Sequence, residues 1–67
     1  MTNYSVAIWN DDELLKVIDL KAKRLTSNLK RIAKCKALFY IKENNIICNC
    51  VDLCKNGDAY INLYSWS

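Results

Sequence analysis

The four cysteines are the residues of this sequence with the most chemical scope. They are Cys35, Cys48, Cys50 and Cys54, in the pattern C-x12-C-x-C-x3-C. Four thiolates can close a zinc site, but structural zinc sites usually use two C-x2–4-C pairs, and only Cys50 and Cys54 resemble one. Disulfides are the other alternative. We expect instead reduced, buried thiols that act as small apolar side chains, with no metal and no cofactor.

The usual groups for catalysis are missing from the chain. It has no histidine, so it has no imidazole base, and its one glycine, Gly57, excludes a glycine-rich phosphate loop. The acidic residues of the C-terminal half, Glu43, Asp52 and Asp58, form no recognisable acid–base pair. We therefore expect a protein that is not an enzyme.

Positive charge is concentrated in the middle of the chain. Eight basic residues and no acidic one lie between Leu20 and Lys42, although the net charge of the whole chain is only +3. One interpretation is a solvated helix face whose charges suit the helix dipole. The other is a surface for an anionic partner, either nucleic acid or an acidic protein. The residues of that predicted surface are Lys23, Arg24, Lys30, Arg31 and Lys34.

Apolar spacing predicts one long helix after a short strand. Residues 4–9 are β-branched and aromatic, which is typical of a strand, and Asn10-Asp11-Asp12-Glu13 can start a helix. Apolar residues then recur every three or four positions, which predicts a buried stripe and a helix that ends near residue 34 or 35. The stripe consists of Leu14, Ile18, Ala22, Leu25, Leu29 and Ile32. A break at residues 26–28, with Ser27 capping a second helix, is left open.

The last third of the chain predicts three strands, at residues 37–42, 46–53 and 59–66. Asn44-Asn45 and Asn56-Gly57 would form the turns between them, and Asn-Gly is the stronger hairpin signal. Two-residue loops would pair Cys50 with both Phe39 and Leu63. The predicted fold class is α+β. One long amphipathic helix packs on a three- or four-stranded, mainly antiparallel sheet, in the order β-α-β-β-β, within a single domain spanning residues 1–67.

In this register, one sheet face packs on the helix and the other is rich in aromatic residues. The predicted partner-binding residues of that open face are Tyr40, Tyr60, Tyr64, Trp66 and Asn49. Tyrosine and tryptophan dominate protein interfaces and can also stack nucleic-acid bases. Single exposed aromatic residues can equally have no function.

Size and composition favour a binding protein over other classes. The 67 residues include no apolar run near the ~20 residues of a membrane span, and the N-terminus does not resemble a secretory signal. We expect a cytoplasmic protein that does not bind membranes. A composition rich in Asn, Ile and Lys is common in phage and mobile-element proteins. The predicted function is a small protein-binding module that docks on a larger host protein and inhibits or regulates it, or that forms a homodimer. The alternative is nucleic-acid binding by the basic helix face.

Overall fold

The structure, a computed structural model, describes residues 2–65. Its elements are β1 (Tyr4–Asn10), β2 (Glu13–Asp19), α1 (Ser27–Asn44), β3 (Cys50–Lys55) and β4 (Asp58–Ser65). All neighbouring strands are antiparallel, in the sheet order β2-β1-β3-β4, and α1 packs on one face of the sheet. The α+β class, with one helix on a four-stranded antiparallel sheet, is confirmed. The order along the chain is β-β-α-β-β and not β-α-β-β-β.

The prediction of a helix is wrong for the first half of its span, because residues 13–19 form a strand. Asn10 pairs with Glu13 across a turn in which Asp11 has a φ of 55°. Asn and Asp favour such turns for the same reason that they cap helices, since their side chains bond nearby backbone groups. Ile18 still reaches the core, through its pairing with Val6. The extra residue of a β-bulge, Leu15, also packs against the core, which gives this strand a helix-like spacing.

The helix begins within the segment where the sequence allows a break. Thr26, and not Ser27, is the N-cap, and its Oγ1 accepts a hydrogen bond of 3.0 Å from the backbone N–H of Leu29. The predicted strand at 37–42 is wrong, because α1 continues to Asn44. Asn45 follows with a left-handed backbone, φ 51°, and ends the helix. The Asn44-Asn45 signal therefore marks a helix end and not a hairpin.

The β3–β4 hairpin confirms the turn but not the register. Asn56 and Gly57 both have positive φ, 52° and 89°, as a tight hairpin turn requires. Cys50 pairs with Ser65 and not with Leu63, because two register shifts add residues to β4. It does not pair with Phe39, because Phe39 lies on α1. The strand predicted at 46–53 spans Cys50–Lys55, and that predicted at 59–66 spans Asp58–Ser65. Trp66 lies outside the described residues.

The core lies between α1 and one face of the sheet. Val6, Ile8, Val51 and Leu53 have no exposed surface and pack against a stripe of small residues on α1 that includes Ala33 and Ala37. Alanine at these positions lets the helix backbone approach the sheet closely. The other face, the open sheet face, has no helix over it. Across residues 2–65, no helix is both long enough and apolar enough to span a bilayer.

Candidate functional site

The structure does not assemble the predicted aromatic sheet face. Tyr40 lies on α1, and Asn49 lies just before β3 with its side chain bonded to Asp11. Tyr60 and Tyr64 do share β4, while Trp66 lies outside the described residues. The row of Tyr40, Asn49 and Tyr64 across three strands is therefore wrong, because it depends on the incorrect strand at 37–42.

The residues of the predicted basic surface lie in the N-terminal half of α1 and in the segment that precedes it. Lys30, Arg31 and Lys34 lie on the helix, and Lys23 and Arg24 lie in the segment that leads into it. All are exposed except Lys34, which is half-buried because its ammonium lies 4.7 Å from the centre of the Tyr64 ring. Lys30 and Arg31 are exposed on the helix, whereas Lys34 lies toward β4.

The side of α1 that points away from the sheet is partly apolar, and sequence reasoning missed this. Phe39 is 66% exposed, Ile32 39% and Leu38 38%, and Cys35 is also exposed. Ile32, Cys35 and Phe39 are spaced by three and four residues, so they share one helix face, with Leu38 beside them. We call Ile32, Cys35, Leu38 and Phe39 the outer helix surface. Assigning residues 37–42 to a strand separates Leu38 and Phe39 from Ile32 and Cys35, which hides the surface.

Basic residues surround this apolar surface. Helical spacing places Arg31 one turn from Cys35, Lys34 one turn from Leu38, and Lys36 beside both Ile32 and Phe39. Lys42 follows Leu38 by one turn at the C-terminal end. The one acidic residue of α1 is Glu43, in its last turn. The outer helix surface thus has an apolar centre with a cationic rim.

The open sheet face has a different character. Leu14 and Val17 are about half exposed at its β2 edge, at 47% and 48%. In its middle, Asn62 Nδ2 donates to Asp52 Oδ1 at 2.9 Å and to Cys50 Sγ at 3.3 Å, and the Cys50 thiol donates to Asp52 at 3.5 Å. Asp19 lies at the end of β2, opposite Ser5. This face is therefore mixed in polarity and acidic where it is charged.

The cysteines are not arranged for nucleophilic chemistry. Burial raises the pKa of the Cys48, Cys50 and Cys54 thiols, and the Asp52 carboxylate raises that of Cys50 and Cys54 further. All four cysteines are free thiols, and Cys35 is exposed, so the expectation of burial is wrong for that residue. Within residues 2–65, no three His, Cys, Asp or Glu side chains come together as metal ligands.

The sheet edges are irregular. β4 has two register shifts against β3, and β2 has one against β1. Bulges twist an edge strand and discourage the addition of another strand. The edges are therefore poor candidates for recognition by the addition of a strand from a partner.

Comparison of the chain with protein families, curated proteins and solved structures finds no match in any of the three. Function must therefore be inferred from the surfaces of the chain itself.

Proposed function

We propose that this protein is a small non-enzymatic module that binds a larger protein through the outer helix surface and so inhibits or regulates it. The main support is the exposure of Phe39. This large aromatic side chain has 66% of its surface exposed, close to the partly exposed side chains of Ile32 and Leu38. A helix that packs only on its own sheet usually turns a polar face outward. Here both faces of α1 carry apolar residues, which is typical of a helix with a second partner.

The spacing of these residues suits a groove in the partner. Helices that dock into grooves use apolar anchors spaced by three, four and seven residues. Ile32, Cys35 and Phe39 have that spacing. Full burial of one Phe side chain contributes about 2–3 kcal/mol, and a few such anchors dominate most interfaces.

The charges around the anchors define the chemistry of the partner. Arg31, Lys36 and Lys42 surround the apolar centre, so a complementary surface has an apolar groove with an acidic rim. A second copy docked symmetrically by the same face would place these cations against their own equivalents. A symmetric dimer through the middle of the open sheet face would bring Asp52 close to its equivalent in the same way. Charge therefore favours a foreign acidic protein over a homodimer.

The proposed compartment is the cytoplasm. Four free cysteines in a chain of 67 residues suit a reducing environment, where thiols stay unpaired. The inhibitory or regulatory role follows from the lack of catalytic groups, since docking is then the activity that remains.

Capture from a host-cell lysate, with two matched variants, tests the proposal. Phe39→Ser removes the central anchor, while Ile47→Ser removes an apolar residue that is 83% exposed but lies outside α1. We expect one stoichiometric, acidic partner with the wild type and with Ile47→Ser, and its loss with Phe39→Ser. A partner retained equally by all three proteins, or no stoichiometric partner, would contradict the proposal.

A further inference from the structure

Two lysine–tyrosine pairs lie along the edge strand β4. Lys34 Nζ is 4.7 Å from the centre of the Tyr64 ring, and Lys55 Nζ is 5.2 Å from the centre of the Tyr60 ring. Both distances are within the range of cation–π contacts. The tyrosines remain accessible, with Tyr60 52% and Tyr64 40% exposed. In each pair the partly buried lysine places its ammonium over one face of the ring, and much of the tyrosine remains exposed.

Further positive charge adjoins these pairs. Lys30 lies one turn before Lys34 on α1, and like charges at this spacing repel each other. An anion bound between them would remove that repulsion. The acidic residue of β4 is Asp58, at the start of the strand opposite Lys55, while Glu43 lies in the last turn of α1. We call Lys30, Lys34, Lys55, Tyr60 and Tyr64 the lysine–tyrosine strip.

An exposed ring beside a cation matches the chemistry of a single-stranded nucleotide. The base would stack on the ring face that the ammonium does not cover, and the ammonium would meet the phosphate. Tyr60 and Tyr64 are four residues apart on β4, about 13 Å along a strand, so they would contact different bases. Bases in a duplex are already stacked on their neighbours and cannot use such rings. From these contacts we infer that the lysine–tyrosine strip binds single-stranded DNA or RNA without sequence preference.

This site goes beyond the proposed protein docking and uses different central residues. Phe39 belongs to the outer helix surface, whereas Tyr60 and Tyr64 belong to β4. Removal of Phe39 should therefore affect the protein partner and not the oligonucleotide. The two functions can fail independently.

The expected affinity is modest and depends on salt. Non-specific binders of this kind have dissociation constants on the order of 1–100 µM at physiological salt. Three lysines that neutralise three phosphates of a single strand give a log–log slope of about −2. Raising the salt from 50 to 200 mM should then weaken binding roughly 15- to 20-fold.

Fluorescence anisotropy with a labelled 12-nucleotide oligo(dT) tests the site, with an abasic oligonucleotide of equal length as the second probe. Tyr64→Leu should weaken oligo(dT) binding at least about fivefold, while Tyr64→Phe, which keeps the ring, should retain it. The abasic probe should bind more weakly than oligo(dT) and should not distinguish these two variants. Far-UV circular dichroism checks that each variant is folded.

Two matched lysine variants show whether oligonucleotide binding depends on this site or on the positive charge of the protein in general. Lys34→Gln and Lys16→Gln each remove one cation that lies over a tyrosine, but Lys16 covers Tyr40, on the helix, at 5.5 Å. We expect Lys34→Gln to weaken oligo(dT) binding and Lys16→Gln to have little effect. Equal losses for the two lysines, equal binding of the two probes, or no binding at 50 mM salt would each overturn the inference. With any of these results, capture of a protein partner that depends on Phe39 would leave the docking proposal standing.

Discussion

Asn49 and Asp11 are joined by two reciprocal hydrogen bonds, although they are 38 residues apart in the chain. Asn49 Oδ1 accepts from the backbone N–H of Asp11 at 2.9 Å, and Asn49 Nδ2 donates to Asp11 Oδ1, also at 2.9 Å. The backbone N–H of Asn49 donates to the Trp9 carbonyl oxygen at 2.9 Å. These contacts fix the β1–β2 turn to the start of β3. The structure thus gives Asn49, predicted from sequence as a partner-binding residue, a clear structural role.

Asn49→Ala should lower the free energy of unfolding by about 1–2 kcal/mol, because both side-chain bonds are lost and the left-handed turn at Asp11 loses its support. Urea unfolding followed by circular dichroism measures this. Asn28→Ala is the control, since Asn28 makes a single exposed bond to Arg31, and it should change stability by less than about 0.5 kcal/mol. Equal stability of Asn49→Ala and wild type would contradict the assigned role.

Backbone conformation predicts opposite effects at two turn residues. Asn45 ends α1 with a φ of 51°, a conformation that glycine adopts without strain, so Asn45→Gly should stabilise the protein by about 0.5–1 kcal/mol. Gly57 has a φ of 89°, and the space that a Cβ would occupy has no atom within 4 Å, so Gly57→Ala would add backbone strain and no clash. It should cost about 1–2 kcal/mol. Thermal melting of both variants measures these effects. Melting temperatures that shift in the same direction would contradict the backbone conformations given for Asn45 and Gly57.

Thiol labelling should distinguish Cys35 from the other cysteines. Cys35 is exposed on α1, whereas Cys48 and Cys54 are buried and Cys50 is half-buried with a raised pKa. At pH 7.5, an aromatic disulfide reagent should therefore modify one thiol per chain quickly and all four only in denaturant. Fast modification of two or more thiols in the native protein would show that β3 is less protected than the structure indicates.

The raised thiol pKa values also predict how stability depends on pH. A thiol whose pKa is higher in the folded state favours folding only while it is protonated. The free energy of unfolding should therefore be unaffected below the ordinary thiol pKa, about 8.5–9, and should fall as the pH rises above it. In Cys54→Ala, the free energy of unfolding should fall less between pH 8 and 10 than it does in the wild type. The same decrease in both proteins would show that Cys54 does not contribute to the pH dependence of stability.

The fold class could be predicted from sequence because two local sequence patterns form the structures that they indicate. The strand at residues 4–9 and the Asn56-Gly57 turn both appear in the structure. The helix lies later in the chain than its predicted span, because Asn10-Asp11 and Asn44-Asn45 serve as either caps or turns, and tertiary pairing decides which. Residues 37–41 have high strand propensity, but Ala37 continues the buried stripe of Leu29 and Ala33, and packing on the sheet prevails.

The candidate sites were predictable only in part, for the same reason. The basic residues of α1 are a property of composition and survive the shift of the helix, so Lys30, Arg31 and Lys34 remain on its surface. The apolar centre among them is hidden in the sequence, because the strand propensity of Leu38 and Phe39 assigns them to a sheet. The pairing of Lys34 with Tyr64 joins residues 30 positions apart and depends on which side of α1 faces β4, which no local pattern encodes.

Site-specific photo-crosslinking can show whether a protein docks on the outer helix surface. A benzophenone maleimide is attached to Cys35, which is exposed within that surface. The control is the double variant Cys35→Ser, Ala59→Cys, which carries the label at the exposed start of β4 instead. After irradiation in host-cell lysate, we predict one acidic protein attached through Cys35 and its absence from the control, with Phe39→Ser abolishing the Cys35 product. Attachment of the same protein through residue 59 but not through Cys35 would show that it does not dock on the outer helix surface.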